Sequence, residues 1–341
     1  MGGQDSKAAP QGALEASGKQ MTYGLLSALS WGVSTLLAAV AARRIGTLRT
    51  VVLGEAAGLV GYLTLFYLGH FSLRGVGSTA WLLILGGVIA VGGYLALYRG
   101  LESGHIGLVS AISACYGGVI AVLSVVLLRE QLTVTATVGI VATVVGVMAA
   151  VMRRASTSIP AAPASMDPAD GMSAPAPAEP APVTAVPTEP TPATAPAMVA
   201  APAIGAAFGL AAALCYGVGG FMIGRYTRSL GWLVPVVVAR GGAMVLLLGL
   251  LATPLRGPAG TRLVPGLAWA LAAGVFDAAG FIFFARGSQV GLVAVTAAVS
   301  SAYPVIPLVG GLLIFRERLL PQQVVGAILI LAGLILLGLG S

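Results

Sequence analysis

Apolar residues fill this chain in continuous stretches of about twenty, separated by short polar or charged clusters, and the pattern fails only once, in the middle. A helix rising 1.5 Å per residue needs about 20 apolar residues to cross a hydrocarbon layer of about 30 Å. Ten stretches meet that length: 22–41, 50–69, 79–98, 106–127, 133–152, 203–222, 231–251, 265–285, 292–314 and 320–340. Strands of a membrane barrel would alternate over segments of about ten residues, whereas these runs are continuously apolar. The pattern predicts an all-α membrane protein with ten transmembrane helices.

The two flanks of the central gap repeat one another. Tyr23-Gly24-Leu25 through Trp31-Gly32-Val33 parallels Phe208-Gly209-Leu210 through Tyr216-Gly217-Val218. Arg99-Gly100, Gly104, Ser113, Tyr116, Arg129-Glu130, Gly139 and Gly146 recur at a near-constant offset as Arg286-Gly287, Gly291, Ser300, Tyr303, Arg316-Glu317, Gly326 and Gly333. Each half holds five spans, an odd number, so the second half enters the membrane from the opposite side. Such inverted repeats are what many secondary transporters use for alternating access. The chain divides into a polar N-terminal tail (1–20), a first repeat (21–152), a linker (153–201) and a second repeat (202–341).

The linker is dominated by Ala, Pro, Thr and Ser, with scattered Asp167, Asp170, Glu179 and Glu189. It lacks the apolar surface to offset chain ordering and is expected to be an extended spacer, partly polyproline. Pro-rich tracts also dock on other proteins, which leaves a tether role open. The tail precedes a full-length span rather than a short apolar core with a cleavage site, so it is expected to be retained.

Composition excludes several classes. With 57% hydrophobic residues, 9% charged residues and a mean hydropathy of +0.97, the chain is no ordinary soluble domain. A net charge of +7 would suggest nucleic acid in a soluble chain, but here the basic residues stand singly or in pairs at span ends. Cys115 and Cys215 lie within spans, where free cysteine packs as a small hydrophobe. With His70 and His105 isolated, no metal-ligand spacing exists. No activated nucleophile and no phosphate-binding loop is present, so neither enzymatic activity nor a cofactor is expected. The preference for arginine over lysine and the abundance of Ala and Gly suit a bacterial inner membrane.

Several short signals agree in order and spacing with a known family. Gly93-Tyr94-Leu95-Ala96-Leu97-Tyr98, a small-residue fourth span, and Arg129-Glu130-Gln131-Leu132 before Gly139 resemble one EamA repeat of the drug/metabolite transporter superfamily. Phe315-Arg316-Glu317-Arg318-Leu319 before Gly326 is similar to the same motif in the second repeat, with Tyr303-Pro304 where the family often carries a proline in span nine. The resemblance implies two inverted five-helix repeats, both termini cytoplasmic, and a central cavity lined mainly by spans one to four and six to nine. Loop charges lean slightly the other way under the positive-inside rule. The chain also departs from the family pattern. Gly117 stands where half two has Pro304, so any unwinding of span four there would rest on glycine's freedom. Arg240 fits the family's arginine in span seven, whereas its counterpart in span two is Glu55.

Three ionisable side chains fall inside spans: Glu55, Arg240 and Asp277. Each costs about 2.5–3.5 kcal/mol at the bilayer centre, so each needs a partner, a water-filled cavity or a neutral form. Glu55 and Arg240 stand at mirrored depths, which admits either a neutralising ion pair or a site for a polar solute or proton. Asp277 has Ala90 as its repeat mate, so no matching cation, and is the candidate coupling carboxylate. Aromatic repeat mates Trp31 and Tyr216, Tyr94 and Phe281, and Tyr116 and Tyr303 are candidates for the solute pathway or for packing. Ser113 and Ser300, one turn before the last pair, could bind a ligand or a neighbouring helix. Trp81, Trp232 and Trp269 lie near span ends as interface anchors.

The expected function is secondary active transport of a small polar metabolite, such as an amino acid, by a proton-coupled permease or exporter. A non-transporting sensor or assembly protein using the linker as a tether, and a flippase for lipid-linked head groups, remain open. Expected partners are the solute, protons and the lipid bilayer, with no nucleic acid and with a homodimer left open.

Overall fold

The computed structural model describes residues 5–102, 109, 112–151, 195–252, 264–306 and 321–340, and among these every regular element is helical. The helices are α1 (Asp5–Ile45), α2 (Thr47–Leu68), α3 (Ala80–Glu102), α4 (Tyr116–Leu128), α5 (Val134–Val151), α6 (Ala195–Leu230), α7 (Leu233–Ala252), α8 (Val264–Val290), α9 (Val293–Ser300) and α10 (Pro321–Gly340). A 3₁₀ turn, Gly77–Thr79, leads into α3. Helices α1, α2, α3, α6, α7 and α8 carry apolar windows long enough to cross a membrane, and α4, α5 and α10 are shorter apolar helices. Two helices start earlier than the hydropathy pattern suggests. α1 reaches back to Asp5, into the polar tail, and α6 begins at Ala195, inside the linker, where an Ala-rich sequence favours helix.

The two repeats interdigitate. α1 packs along α8 and α3 along α6; α2 lies against α8 and α3 against α7; α4 meets α9, α5 meets α10 and α2 meets α7. Exchanging each helix for its repeat mate turns α1·α8 into α6·α3 and α2·α8 into α7·α3, and maps the other three pairs onto themselves. That is the contact pattern of a pseudo-twofold axis lying between two inverted halves. Residues that a ten-span threading assigns to one face accordingly meet: Arg44 lies over Trp269 at 5.7 Å, and Phe71 meets Trp232 at 5.5 Å.

Lipid supplies no hydrophobic drive between helices, so close packing and interhelical hydrogen bonds hold them. Ser27 and Ser34 of α1 donate to the carbonyls of Gly280 and Ala273 on α8, each at 2.9 Å. On α5 and α10, a Cβ added to Gly139 would sit 2.9 Å from the Gly333 carbonyl, and one added to Gly333 would sit 2.7 Å from the Gly139 carbonyl. The turns α1–α2 and α6–α7 pivot on repeat mates Gly46 (φ 83) and Gly231 (φ 80), a backbone region that side chains avoid.

Spans four and nine are broken at matching positions. α9 stops at Ser300, a turn covers 301–304, and helix resumes at 305–306. Pro304 lacks the N–H that a continuous helix needs. In the first half the turn covers 114–115, ahead of α4. Gly117 is therefore not the hinge that its alignment with Pro304 suggested: it lies within α4. Its lack of a side chain serves close approach instead, since a Cβ there would meet Ser301 Cβ at 2.6 Å.

Candidate functional site

The three intramembrane charges meet. Arg240 of α7 places Nη1 2.9 Å from Glu55 Oε1 on α2, and its Nη2 donates to Asp277 Oδ2 on α8. Asp277, expected to lack a cation, thus shares the guanidinium with Glu55. The reason is geometric: α2 packs against both α7 and α8, so one arginine at their junction reaches two carboxylates. The Arg240 and Glu55 side chains are 5% and 6% exposed, whereas Asp277 keeps 25%. With both acids ionised the cluster carries one uncompensated negative charge. Arg240 Nε is buried without a hydrogen-bond partner among the described residues.

Aromatic rings surround this cluster. The Arg240 guanidinium lies 4.2 Å from the Phe281 ring centroid, a cation–π distance. Phe281 meets Trp31 edge-on at 4.9 Å, Trp31 meets Tyr116 at 6.2 Å, and Tyr116 meets Tyr303 at 6.2 Å. The repeat reproduces the first of these contacts, because Tyr94 and Tyr216 meet edge-on at 5.2 Å. The Tyr116 hydroxyl is buried with no hydrogen-bond partner among the described residues, and so is Ser300 Oγ. Ser113 is also buried. The structure therefore joins Glu55, Arg240, Asp277, Phe281, Trp31, Tyr116 and Tyr303 through successive contacts. Tyr94 and Tyr216 form the pseudo-symmetric pair.

A family model described as "EamA-like transporter family" matches residues 18–152 and 203–339, the two repeats on either side of the linker. The chain belongs to the EamA-like transporter family. This EamA-like transporter is an integral, multi-pass membrane protein, and its family consists of transporters rather than enzymes. Among curated proteins, none matches it. A solved structure described only as "Crystal structure of protein" is similar over 93% of this chain and 95% of its own, with a TM-score of 0.63 and 15% identity. At that identity the likeness shows the fold alone.

Three residues of the transporter escaped the reading of its sequence. Tyr62 stands seven residues after Glu55, on the same face of α2, and is buried with its hydroxyl donating at 3.4 Å to the carbonyl of Ala278, next to Asp277. The i, i+7 spacing from a buried charge was the available signal. Glu130 and Gln20, assigned to a motif and to a polar tail, are both buried, and their hydrogen bonds cross to the second repeat. Trp232, read as an interface anchor, lies 4.3 Å below the Arg286 guanidinium. The Arg316-Glu317 motif and His105 lie outside the described residues.

Proposed function

We propose that this chain is a proton-coupled secondary transporter of a small polar metabolite, such as an amino acid, working by alternating access between its inverted repeats. The observation that carries this reading is one guanidinium held between two carboxylates well inside the membrane-spanning helices α2, α7 and α8. A cluster with a net charge of −1 is costly in low dielectric, and binding one proton, or the ammonium group of a solute, neutralises it. Asp277, the more exposed of the two acids, is the group that exchanges the proton, while Glu55 and Arg240 form the fixed pair. The aromatic chain from Phe281 to Tyr303, with an unsatisfied Tyr116 hydroxyl, supports a solute site beside it. The family and the preference for arginine over lysine favour a bacterial inner membrane, with a homodimer as one admissible assembly.

The test is transport by purified protein in liposomes under a pH gradient, using solutes chosen by a ligand-stabilisation screen of metabolite pools. Solute-dependent proton flux is expected. Asp277→Asn should insert normally, abolish accumulation against a gradient and spare solute exchange. Normal accumulation by that variant would overturn the coupling assignment. Lipid flipping without solute flux would favour the flippase, and neither activity would favour the tethered assembly protein.

A further inference from the structure

The junction between α8 and α9 is gripped by three side chains from elsewhere in the chain. Glu130, in the α4–α5 link, accepts the Val293 N–H at 2.8 Å with Oε1 and the Ala294 N–H at 3.0 Å with Oε2. It is only 8% exposed. Its approach depends on Arg129, whose left-handed backbone (φ 53, ψ 38) ends α4 and turns the next residue inward. α9 has no side-chain cap of its own, so the carboxylate from the first repeat supplies both the cap and the charge that suits a helix N-terminus. Gln20 of α1 donates to the Leu292 carbonyl at 2.6 Å and to Thr296 Oγ1 at 3.0 Å. Arg228 of α6 donates to the Gly291 carbonyl at 2.7 Å.

We infer that this clasp is a gate: Glu130, Gln20 and Arg228 hold α9 shut on the membrane face that carries the chain's N-terminal end, and they must let go for that face to open. The inference rests on the alternating-access reading. The clasp joins both repeats, drawing on α1 and the α4–α5 link of the first and on α6 of the second. What it grips is α9, every residue of which is buried, and which ends at the break that holds Tyr303 of the aromatic chain. Its bonds are few, polar and at the end of the helix, so they can be exchanged for water without unpacking the membrane interior. In the sequence, Arg228, Gly291 and Glu130 have counterparts of the same type at Arg43, Gly104 and Glu317, as a device serving each half requires. Gln20 has no such counterpart, since Gly205 stands at its matching position.

The experiment uses the full chain with Cys115 and Cys215 replaced by alanine and Ser300→Cys introduced. Ser300 is fully buried and its hydroxyl lacks a partner among the described residues, so a thiol there is a mild change. Protein in oriented vesicles is labelled with a membrane-impermeant thiol reagent from each side, and a separate Gln131→Cys variant identifies the clasp's face. Glu130→Ala should raise the Ser300→Cys labelling rate from that face by about tenfold, a shift of about 1.4 kcal/mol in the opening equilibrium. Gln20→Ala should raise it less. If Glu130→Ala does not assemble, Arg228→Ala and Glu130→Gln, which weaken single bonds of the clasp, carry the test. Unchanged labelling in folded variants would overturn the gate and leave a static cap. Faster labelling without any solute flux would uphold the gate and count against the transport reading alone.

Discussion

Arg240 compensates two carboxylates at once, so the three charges respond unequally to neutralisation. Removing either acid leaves a balanced pair, whereas removing the arginine leaves two buried carboxylates facing each other. Arg240→Gln is therefore expected to lose about 3–5 kcal/mol of stability, the scale for stranding a buried charge, and Glu55→Gln or Asp277→Asn far less. Thermal melting in detergent gives the order. The triple variant Glu55→Gln, Arg240→Gln, Asp277→Asn should recover most of the loss, because coupled sites do not add. If Arg240→Gln melts no lower than Asp277→Asn, the three charges do not act as one cluster. The repeat placed Glu55 and Arg240 at mirrored depths and so suggested their pairing. It gave no sign that Asp277 joins them, because its mate is Ala90 and because the bond depends on how α7 is rotated against α2 and α8 together.

At the scale of elements, the ten spans were legible because length and continuous apolarity suffice to define a membrane helix. The broken fourth span was not. Pro304 announces the break in span nine, but nothing interrupts the apolar run at 114–115. The α1–α2 turn offers a clean test of backbone strain. Gly46 has φ 83, and a Cβ built on it would meet none of the described residues within 4 Å, so Gly46→Ala probes dihedral cost. It should destabilise by about 1–3 kcal/mol. Gly61, inside α2 and equally unobstructed, has no such constraint, and Gly61→Ala should stabilise by about 0.5–1 kcal/mol. Equal shifts for the two variants would show that the α1–α2 turn does not require glycine.

For the whole molecule, the offset between the halves carried the architecture, since five spans per repeat force the second half to be inverted whatever the details of packing. Helix interleaving was beyond its reach: a repeat fixes each half's internal order and says nothing of whether the halves sit side by side or interlock. The contacts settle that, with α1 along α8 and α3 along α6. Arg44 and Ser229 occupy matching positions at the ends of α1 and α6, and both are exposed. Inversion puts these mates on opposite faces, with Ser229 on the face of Gln131. Single cysteines at the three positions, in a background lacking Cys115 and Cys215, should therefore label from two sides with an impermeant reagent: Ser229→Cys and Gln131→Cys together, Arg44→Cys alone. Because neither Ser229 nor Arg44 belongs to the charge cluster or the clasp, protein yield should stay within about twofold of the parent, the usual effect of a surface change. Labelling of Arg44→Cys and Ser229→Cys from the same side would mean that the repeats run parallel in the membrane, and the inverted-repeat reading would fall.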